Sequence, residues 1–213
     1  MIKYIVKHPN PQILVITPLL TGHSVSKETK KTIKRNKTPF VWISYMGPGN
    51  AYLNTQKAFN IYKNDYELPP YIIKVDNDII AQRGMLDVMY KTLETSNDNE
   101  AYTYCPFSFQ GYVNLSFPYT PFDADRLRQR NYISSISMIK TKRLIECGLF
   151  VTDVRGERLL DWALWLNLLK RGYIGVPTSK TSFVAISSKD SVSSRSNEDY
   201  QKKRQWVVEN YVK

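Results

Sequence analysis

The segment Tyr71-Ile-Ile-Lys-Val-Asp-Asn-Asp78 gives the clearest indication of the fold of this chain. Residues 71–75 are mostly apolar and rich in β-branched side chains, which predicts a short buried strand. Pro69 and Pro70 stand directly before it and end the helix predicted upstream. Two carboxylates, Asp76 and Asp78, follow at the carboxyl end of the strand, which is where an α/β sheet binds its ligands.

The Asp76-x-Asp78 pair has the chemistry of a site for a hard divalent cation. Such a cation can also hold diphosphate oxygens and neutralise charge on a leaving group. The motif is weak by itself, because eleven Asp residues predict about half a match by chance. A second match, Asp123-Ala-Asp125, lies in an irregular Pro-rich region, whereas the first directly follows an apolar strand. The alternative for Asp76 and Asp78 is a loop with solvated acids and a helix cap.

The first half of the chain alternates between predicted strands and helices. Strands are predicted at residues 13–17, where Pro18 closes the strand, and at residues 40–44. Helices are predicted from Ser24 or Ser26 through about residue 37, around residues 56–59, and over residues 83–93. This alternation predicts an α/β fold with a mixed, mostly parallel central sheet flanked by helices, in one domain over residues 1–213.

The second half predicts further strands and three helices. Strands are expected at residues 101–109, 134–139, 173–176 and 181–186, and residues 111–130 are expected to form loop and short strands. Helices are expected from a Thr141 cap to Gly148, over residues 157–171, and over residues 199–211. A loop rich in Ser and basic residues covers positions 187–197.

The predicted helix over residues 157–171 contains the second candidate for chemistry. Trp162, Trp165, Leu166 and Leu169 have helical spacing and are most simply explained as core residues. Asp161 near the helix start has two interpretations. It compensates the helix dipole, or it acts as a general base that takes a proton from an acceptor hydroxyl.

The net charge of +11 fits an anionic ligand such as nucleic acid, a membrane surface or a diphosphate. Lysines on solvated helix faces explain the same charge without a ligand. Cys105 and Cys147 lie far apart in apolar settings, which predicts a reduced, intracellular protein and no zinc site. The sequence contains no signal peptide or membrane-spanning stretch, so a cytoplasmic location is expected. Esterase, dinucleotide-binding and P-loop motifs are also missing.

Four segments, in this order, resemble the GT-A fold of family 2-like glycosyltransferases and span most of the chain. They are Ile13-Leu-Val-Ile-Thr-Pro18, Ile72-Ile-Lys-Val-Asp-Asn-Asp78, Ser135 to Phe150, and Leu160-Asp-Trp-Ala-Leu-Trp-Leu-Asn-Leu-Leu-Lys-Arg-Gly172. The whole chain also resembles the N-terminal domains of larger glycosyltransferases that chlorella viruses encode, which implies a host-cytoplasmic setting and further domains in a longer chain.

The resemblance implies a role for each matching residue. Asp76 and Asp78 would bind Mn²⁺ or Mg²⁺, and Asp161 would be the catalytic base of an inverting transfer. Residues 1–100 would form the nucleotide-sugar-binding half and residues 101–213 the acceptor-side half. The residues expected to line the nucleotide-sugar pocket are Thr17, Pro18, Leu19, Ser44, Tyr45 and Asn77.

The chain departs from the family pattern at two places. Leu160 stands where the family usually has Glu, so Glu157, one predicted helical turn earlier, would share or take the role of base. No His follows His23 to join the metal, so Arg158, Lys189 and Arg195 would contact the phosphates instead.

The resemblance implies transfer of a hexose or deoxyhexose from a UDP-sugar to a hydroxyl of a glycan or glycoprotein acceptor, without nucleic acid as a partner. Three alternatives stay open. They are a metal-dependent nucleotidyltransferase, which would release pyrophosphate; a nucleic-acid-binding α/β domain, which would bind with steep salt dependence; and an inactive GT-A scaffold.

Overall fold

A computed structural model of the protein describes residues 2–189 and 197–212. The eleven strands of this described part form two sheets. The strands are β1 (Ile2–Val6), β2 (Ile13–Leu19), β3 (Phe40–Met46), β4 (Tyr71–Lys74), β5 (Ile79–Ala81), β6 (Glu100–Tyr104), β7 (Phe107–Gly111), β8 (Leu115–Phe117), β9 (Met138–Lys140), β10 (Ile174–Pro177) and β11 (Phe183–Ser187).

Helices connect most of the strands of the larger sheet. They are α1 (Lys27–Ile33), α2 (Ala51–Asp65), α3 (Met85–Glu94), α4 (Ala124–Gln129), α5 (Thr141–Glu146), α6 (Leu160–Lys170) and α7 (Asn197–Val207). A 3-10 turn, Val154–Gly156, precedes α6, and a π-helical turn, Val208–Val212, follows α7. No helix among the described residues is long and apolar enough to cross a membrane.

The main sheet has seven strands in the order β1-β3-β2-β4-β9-β6-β10. Strand β2 pairs in parallel with both β3 and β4, and β10 pairs in parallel with β6. Strand β9 lies antiparallel between β4 and β6, and β1 is an antiparallel edge strand. Five strands therefore run in one direction, which confirms the predicted mixed, mostly parallel sheet.

Helices cover both faces of the main sheet, and each face has its own core. Every residue of β2 is buried, as expected for a strand that is covered on both sides. One core contains α2 and α6, with the buried Trp162 and Trp165. The other contains α1 and α3, with Met85 and Met89. The cysteines are free and buried, as predicted.

A second sheet, in the order β5-β11-β7-β8, lies beyond the carboxyl edge of the main sheet. The single strand predicted over residues 101–109 is wrong, because the chain leaves the main sheet after Tyr104 and enters the small sheet at Phe107. Pro106 in between has no backbone N–H for a strand ladder. Phe107 stacks on Phe117 at 4.3 Å and on Phe183 at 5.4 Å, which joins three strands of the small sheet.

Three predicted element boundaries are also wrong. Helix α6 begins at Leu160 and excludes Glu157, because Arg158 has a φ of +85° that a right-handed helix cannot contain. Thr141 begins α5 but does not cap it, since its hydroxyl donates to the carbonyl of Pro69 at 2.7 Å. Strand β9 starts only at Met138, because Ser134 forms side-chain and backbone hydrogen bonds of a turn.

Two smaller corrections concern Pro18 and the second Asp-x-Asp match. Strand β2 continues through Pro18 to Leu19, in register with β3. Residues 111–130 contain the short helix α4 as well as β8. Asp123 caps this helix by accepting from the N–H of Arg126 at 2.9 Å, and Asp125 pairs with Arg128. The second match is therefore a capping motif.

We expect Trp165→Ala to lower the free energy of unfolding by about 3–5 kcal/mol, because it empties a core position. Trp165 is 1% exposed and stacks on Tyr102 at 4.6 Å. Urea denaturation followed by circular dichroism measures the change. Tyr112→Ala is the control, since Tyr112 is 61% exposed. Equal losses in the two variants would contradict this packing.

Candidate active site

Asp76 and Asp78 lie in the turn between β4 and β5, at the carboxyl edge of the main sheet. Hydrogen bonds fix this turn from two directions. The carbonyl of Asn77 accepts from the N–H of Ser26 at 2.9 Å and from the hydroxyl of Thr29 at 3.0 Å, at the start of α1. The N–H of Ile186 in β11 donates to the carbonyl of Asp78 at 3.0 Å. The backbone of the turn that carries the two carboxylates is therefore held by the start of α1 and by β11 of the small sheet.

The Asp78 side chain is partly buried, and this burial raises the pKa of its carboxyl to about 6. The neighbouring charge of Asp76 acts in the same direction, while Lys74 and His23 lower the pKa. A desolvated carboxylate beside a like charge is stabilised by any cation that binds there. The position of Asp78 therefore favours binding of a positive ion.

The Asp76 carboxylate already has a cationic partner in the protein. The ammonium Nζ of Lys74 lies 2.5 Å from Asp76 Oδ1, and the hydroxyl of Ser135 donates to Asp76 Oδ2 at 3.4 Å. Sequence analysis missed Lys74 and Ser135. The signal for Lys74 was present, since a Lys in a strand that is otherwise buried needs a compensating charge.

Asp161 lies in the first turn of α6, where its Oδ1 accepts the N–H of Trp162 at 2.8 Å. Burial raises the pKa of Asp161 to about 6, against the opposing effects of the Trp162 N–H, the charge of Lys74 and a hydrogen bond from Asn131. Asp161 is therefore placed at a helix start, where it can compensate the helix dipole, and it also has the near-neutral pKa that suits a general base.

Tyr52 connects the Asp161 side of the site with the Asp76 side. Its hydroxyl is buried, and this burial, followed by the charges of Asp161 and then Asp76, raises its pKa well above the usual value. The Ser135 hydroxyl acts in the opposite direction and lowers the pKa of Tyr52. Asp76, Asp78 and Asp161 are thus all close enough to Lys74 to interact with its charge, although Asp78 and Asp161 are 83 positions apart in the sequence.

The side chains expected at the nucleotide pocket mostly point into the protein. Thr17 Oγ1 accepts from the buried indole of Trp42 at 2.9 Å, and the Ser44 hydroxyl donates to the carbonyl of Lys3 at 3.4 Å. Pro18 and Leu19 are also buried. A ligand at this edge would therefore contact mainly the backbone of these strand ends, and their side chains much less.

Tyr45 and Asn77 are only partly buried at the same edge. A residue that sequence analysis missed, Asn54, holds the two strand ends together, because its amide donates to the carbonyls of Leu19 and Gly47. The loops that leave β2 and β3 are therefore joined beside the carboxylates.

The other predicted residues lie in different surroundings. Glu157 is partly buried in the segment before α6, and the guanidinium of Arg158 lies 5.2 Å from the ring centroid of Tyr200. Lys189 is exposed in the turn after β11. Arg195 lies outside the described residues. The roles of these four residues stay predictions.

Asp76 and Asp78 provide carboxylate oxygens, which are the ligands that Mn²⁺ and Mg²⁺ prefer. Within residues 2–189 and 197–212, no group of three or more His, Cys, Asp or Glu side chains is arranged to hold a metal ion. The residues present fit a cation whose remaining ligands come from a bound substrate or from water. A groove of about 480 Å³ around Pro70, Tyr71 and Lys140 lies where β4 begins, at the opposite edge from these carboxylates.

No protein-family model and no curated protein sequence matches this chain. Solved structures of GT-A-type glycosyltransferases match its fold. TarS from S. aureus, residues 1–349 in complex with UDP-GlcNAc, has a TM-score of 0.62 at 11% identity over 94% of this chain and 67% of its own. Mannosyltransferase PcManGT from Pyrobaculum calidifontis, in complex with GDP-Man and Mn²⁺, has a TM-score of 0.58 at 13% identity over 85% of this chain and 58% of its own.

These matches show that the chain has a fold similar to the GT-A type, as predicted. A longer structure of TarS matches 92% of this chain but only 39% of its own length, with a TM-score of 0.60 and 11% identity. The chain therefore spans between 39% and 67% of the solved chains described here. At identities this low the likeness establishes the fold, and function has to be argued from the site.

Asp161→Asn tests the raised pKa of Asp161. Between about pH 4 and pH 6 the unfolded carboxyl ionises while the folded one keeps its proton, so the stability of the wild type falls relative to the variant. We expect the stability of the variant minus that of the wild type to increase with pH up to about 6 and then to level off. Urea denaturation across this range measures the difference. Asp125→Asn, at an exposed position, controls for the loss of one charge. A pH-independent difference for Asp161→Asn would contradict the prediction.

Proposed function

We propose that this chain is a metal-dependent, inverting glycosyltransferase that moves a hexose or deoxyhexose from a UDP-sugar to a glycan hydroxyl. The observation that carries the proposal is the meeting of Asp76, Asp78 and Asp161 at the carboxyl edge of a GT-A-type sheet. Solved structures with this fold include one with UDP-GlcNAc and one with GDP-Man and Mn²⁺, which supports a nucleotide-sugar donor.

Asp78, with Asp76 beside it, would hold a divalent cation, Mn²⁺ or Mg²⁺. The cation supplies, when bound, positive charge next to the diphosphate that leaves with the nucleotide. The protein contributes a turn that two sheets hold in place, so the carboxylates need little reorganisation when charge develops.

Asp161 would act as the base. The acceptor oxygen forms a bond to the anomeric carbon, the bond from that carbon to the diphosphate oxygen breaks, and the acceptor proton moves to the Asp161 carboxylate. A pKa of about 6 leaves this carboxylate ionised near neutral pH and basic enough to accept a proton in the transition state. A single direct displacement inverts the anomeric centre.

The nucleotide would lie against the strand-end residues Thr17, Pro18, Leu19, Ser44 and Tyr45, and against Asn77. In this proposal the backbone and ring edges of these residues contact the base and ribose, since most of their polar side-chain atoms are engaged inside the protein. Arg158, Lys189 and Arg195 are proposed phosphate contacts. We choose UDP over GDP because it is the donor that the family resemblance implies.

Glu157 is the weaker candidate for the base. It lies outside α6, so it does not stand one helical turn before Asp161 as the sequence predicted. The family 2-like assignment, the kinship with chlorella-virus proteins, the cytoplasmic location and the need for a further acceptor-binding domain stay predictions.

Calorimetric titration of UDP and GDP, each with and without Mn²⁺, tests the donor site. We expect UDP to bind tightly only with Mn²⁺, and Asp78→Ala to weaken this binding by on the order of 100-fold, because the buried carboxylate is a direct ligand. Asp125→Ala, in the capping Asp-x-Asp, is the matched control and should bind as the wild type does. If neither nucleotide shows metal-linked binding, the proposed function is wrong.

Asp161→Asn tests the base, with nucleotide release measured over a panel of UDP-sugars and glycan acceptors. We expect UDP binding in the presence of Mn²⁺ to be kept and turnover to fall by about 10²–10⁴-fold. Wild-type turnover should rise with pH through about 6, as the Asp161 carboxyl loses its proton. Glu157→Gln should retain most activity. The opposite ranking of the two variants would assign the base to Glu157, and release of pyrophosphate would indicate a nucleotidyltransferase.

A further inference from the structure

Lys74 is a buried cation at the centre of the candidate site. It is the last residue of β4, and its side chain is 5% exposed. Burial of an ammonium group is unfavourable unless negative charges and hydrogen bonds compensate it. The partners of Lys74 therefore indicate what its charge does.

The closest partner of Lys74 is Asp76, with 2.5 Å between Nζ and Oδ1. The ammonium also donates to Ser135 Oγ at 3.3 Å and lies 5.4 Å from the ring centroid of Tyr52. Ser135 in turn donates to the second oxygen of Asp76. Both oxygens of Asp76 thus have a donor from the protein before any ligand binds.

Asp78 differs from Asp76 in this respect. Among the described residues, the Lys74 ammonium is bound to Asp76, and it reaches Asp78 through the electrostatic effect of its charge, as His23 also does. The paired charges of Lys74 and Asp76 cancel. Among residues 2–189 and 197–212, Asp78 is then the carboxylate of the pair that has no ion pair with a cationic side chain.

A hard divalent cation needs about six oxygen ligands, of which carboxylates supply the charge. One uncompensated carboxylate and no group of three candidate ligands in the described residues make a weak site for a free ion. The diphosphate of a nucleotide sugar supplies further anionic oxygens, so the site would bind the cation and the diphosphate together more tightly than it binds the cation alone.

We propose that Lys74 neutralises Asp76 and thereby keeps the affinity of the empty site for a free divalent cation low, so that the cation is retained only together with a diphosphate. This inference rests on the proposed function, because it requires a diphosphate ligand. Lys74 is a positioning residue here: it holds Asp76 and sets the charge of the site without touching the reacting atoms.

Two other roles for Lys74 make different predictions. A purely structural ion pair predicts that its loss changes stability and leaves the affinity for cations unchanged. A direct contact to phosphate predicts that its loss weakens nucleotide binding even without metal. Measuring the affinity for Mn²⁺ in the absence of nucleotide distinguishes these roles from the proposed one, because only neutralisation of Asp76 predicts that loss of Lys74 increases this affinity.

The test is a titration of Mn²⁺ into the full chain, with free Mn²⁺ measured by electron paramagnetic resonance at constant pH and salt. The proteins are the wild type, Lys74→Met, Lys74→Arg and Lys140→Met. Lys140 is the matched control, since it is a lysine on the adjacent strand β9 whose ammonium donates to the carbonyl of Asn97. Each titration is repeated with UDP and with GDP.

We expect Lys74→Met to bind Mn²⁺ alone on the order of tenfold more tightly than the wild type, because the charge of Asp76 becomes available to the ion. Lys74→Arg and Lys140→Met should stay within about twofold of the wild type. UDP should increase the Mn²⁺ affinity of the wild type by a larger factor than that of Lys74→Met, since the variant depends less on the diphosphate.

The double variant Lys74→Met with Asp76→Asn removes both charges together and leaves no buried ion without a partner. It should return the Mn²⁺ affinity to within about threefold of the wild type, which completes the mutant cycle. Thermal unfolding followed by circular dichroism checks that each variant is folded. If Lys74→Met does not fold, the double variant carries the test, and a large loss of Mn²⁺ affinity in it overturns the inference.

The outcomes separate this inference from the proposed function. Unchanged or weaker Mn²⁺ binding in Lys74→Met, together with UDP-dependent Mn²⁺ binding in the wild type, overturns the role of Lys74 and leaves the glycosyltransferase proposal standing. Absence of any effect of UDP or GDP on Mn²⁺ binding by the wild type overturns the proposed function, and the part of the inference that requires a diphosphate with it.

Discussion

The parallel pairing of β2 with β3 and β4 fixes the position of the candidate site. Ile16 lies opposite Lys74 on one side, and Thr17 lies opposite Ser44 on the other. Because these strands run in the same direction, their carboxyl ends meet at one edge, and the turn with Asp76 begins there. A slip of one residue would move every side chain of β2 to the core on the opposite face, which is packed around different side chains, so close packing on both faces fixes this register.

The small sheet gives the carboxylate turn its second support. Strand β5 starts directly after Asp78, and β11 donates a hydrogen bond to the Asp78 carbonyl from the far side. With Asn77 tied to the start of α1, the turn is held by three elements. Asp76 and Asp78 therefore remain close to each other despite their repulsion, and the raised pKa of Asp78 follows first from burial and second from the neighbouring charge of Asp76.

The electrostatics of the site differ from those of the whole chain. The chain carries a net charge of +11, yet its candidate site concentrates three carboxylates around the ammonium of Lys74. Such a site is complementary to a bound cation, and the positive net charge of the chain attracts an anionic ligand such as a diphosphate. The positive net charge of the chain and the acidic site are compatible if a cation and a diphosphate bind together at the carboxyl edge of the main sheet. The phosphates of a nucleic acid would instead have to approach the same carboxylates, which repel them.

Several features could be predicted from the sequence alone: the buried strands, their alternation with helices, the placement of Asp76 and Asp78 at a strand end, and the apolar helix that carries Asp161. These features are local, since each depends on the period and chemistry of neighbouring residues. Only the tertiary structure decided the split at Pro106, the start of α6 after the left-handed Arg158, and the inward direction of Thr17 and Ser44. It also decided that Lys74, Tyr52 and Ser135 join Asp76 to Asp161, because contacts between residues far apart in the sequence follow from how the sheets and helices pack.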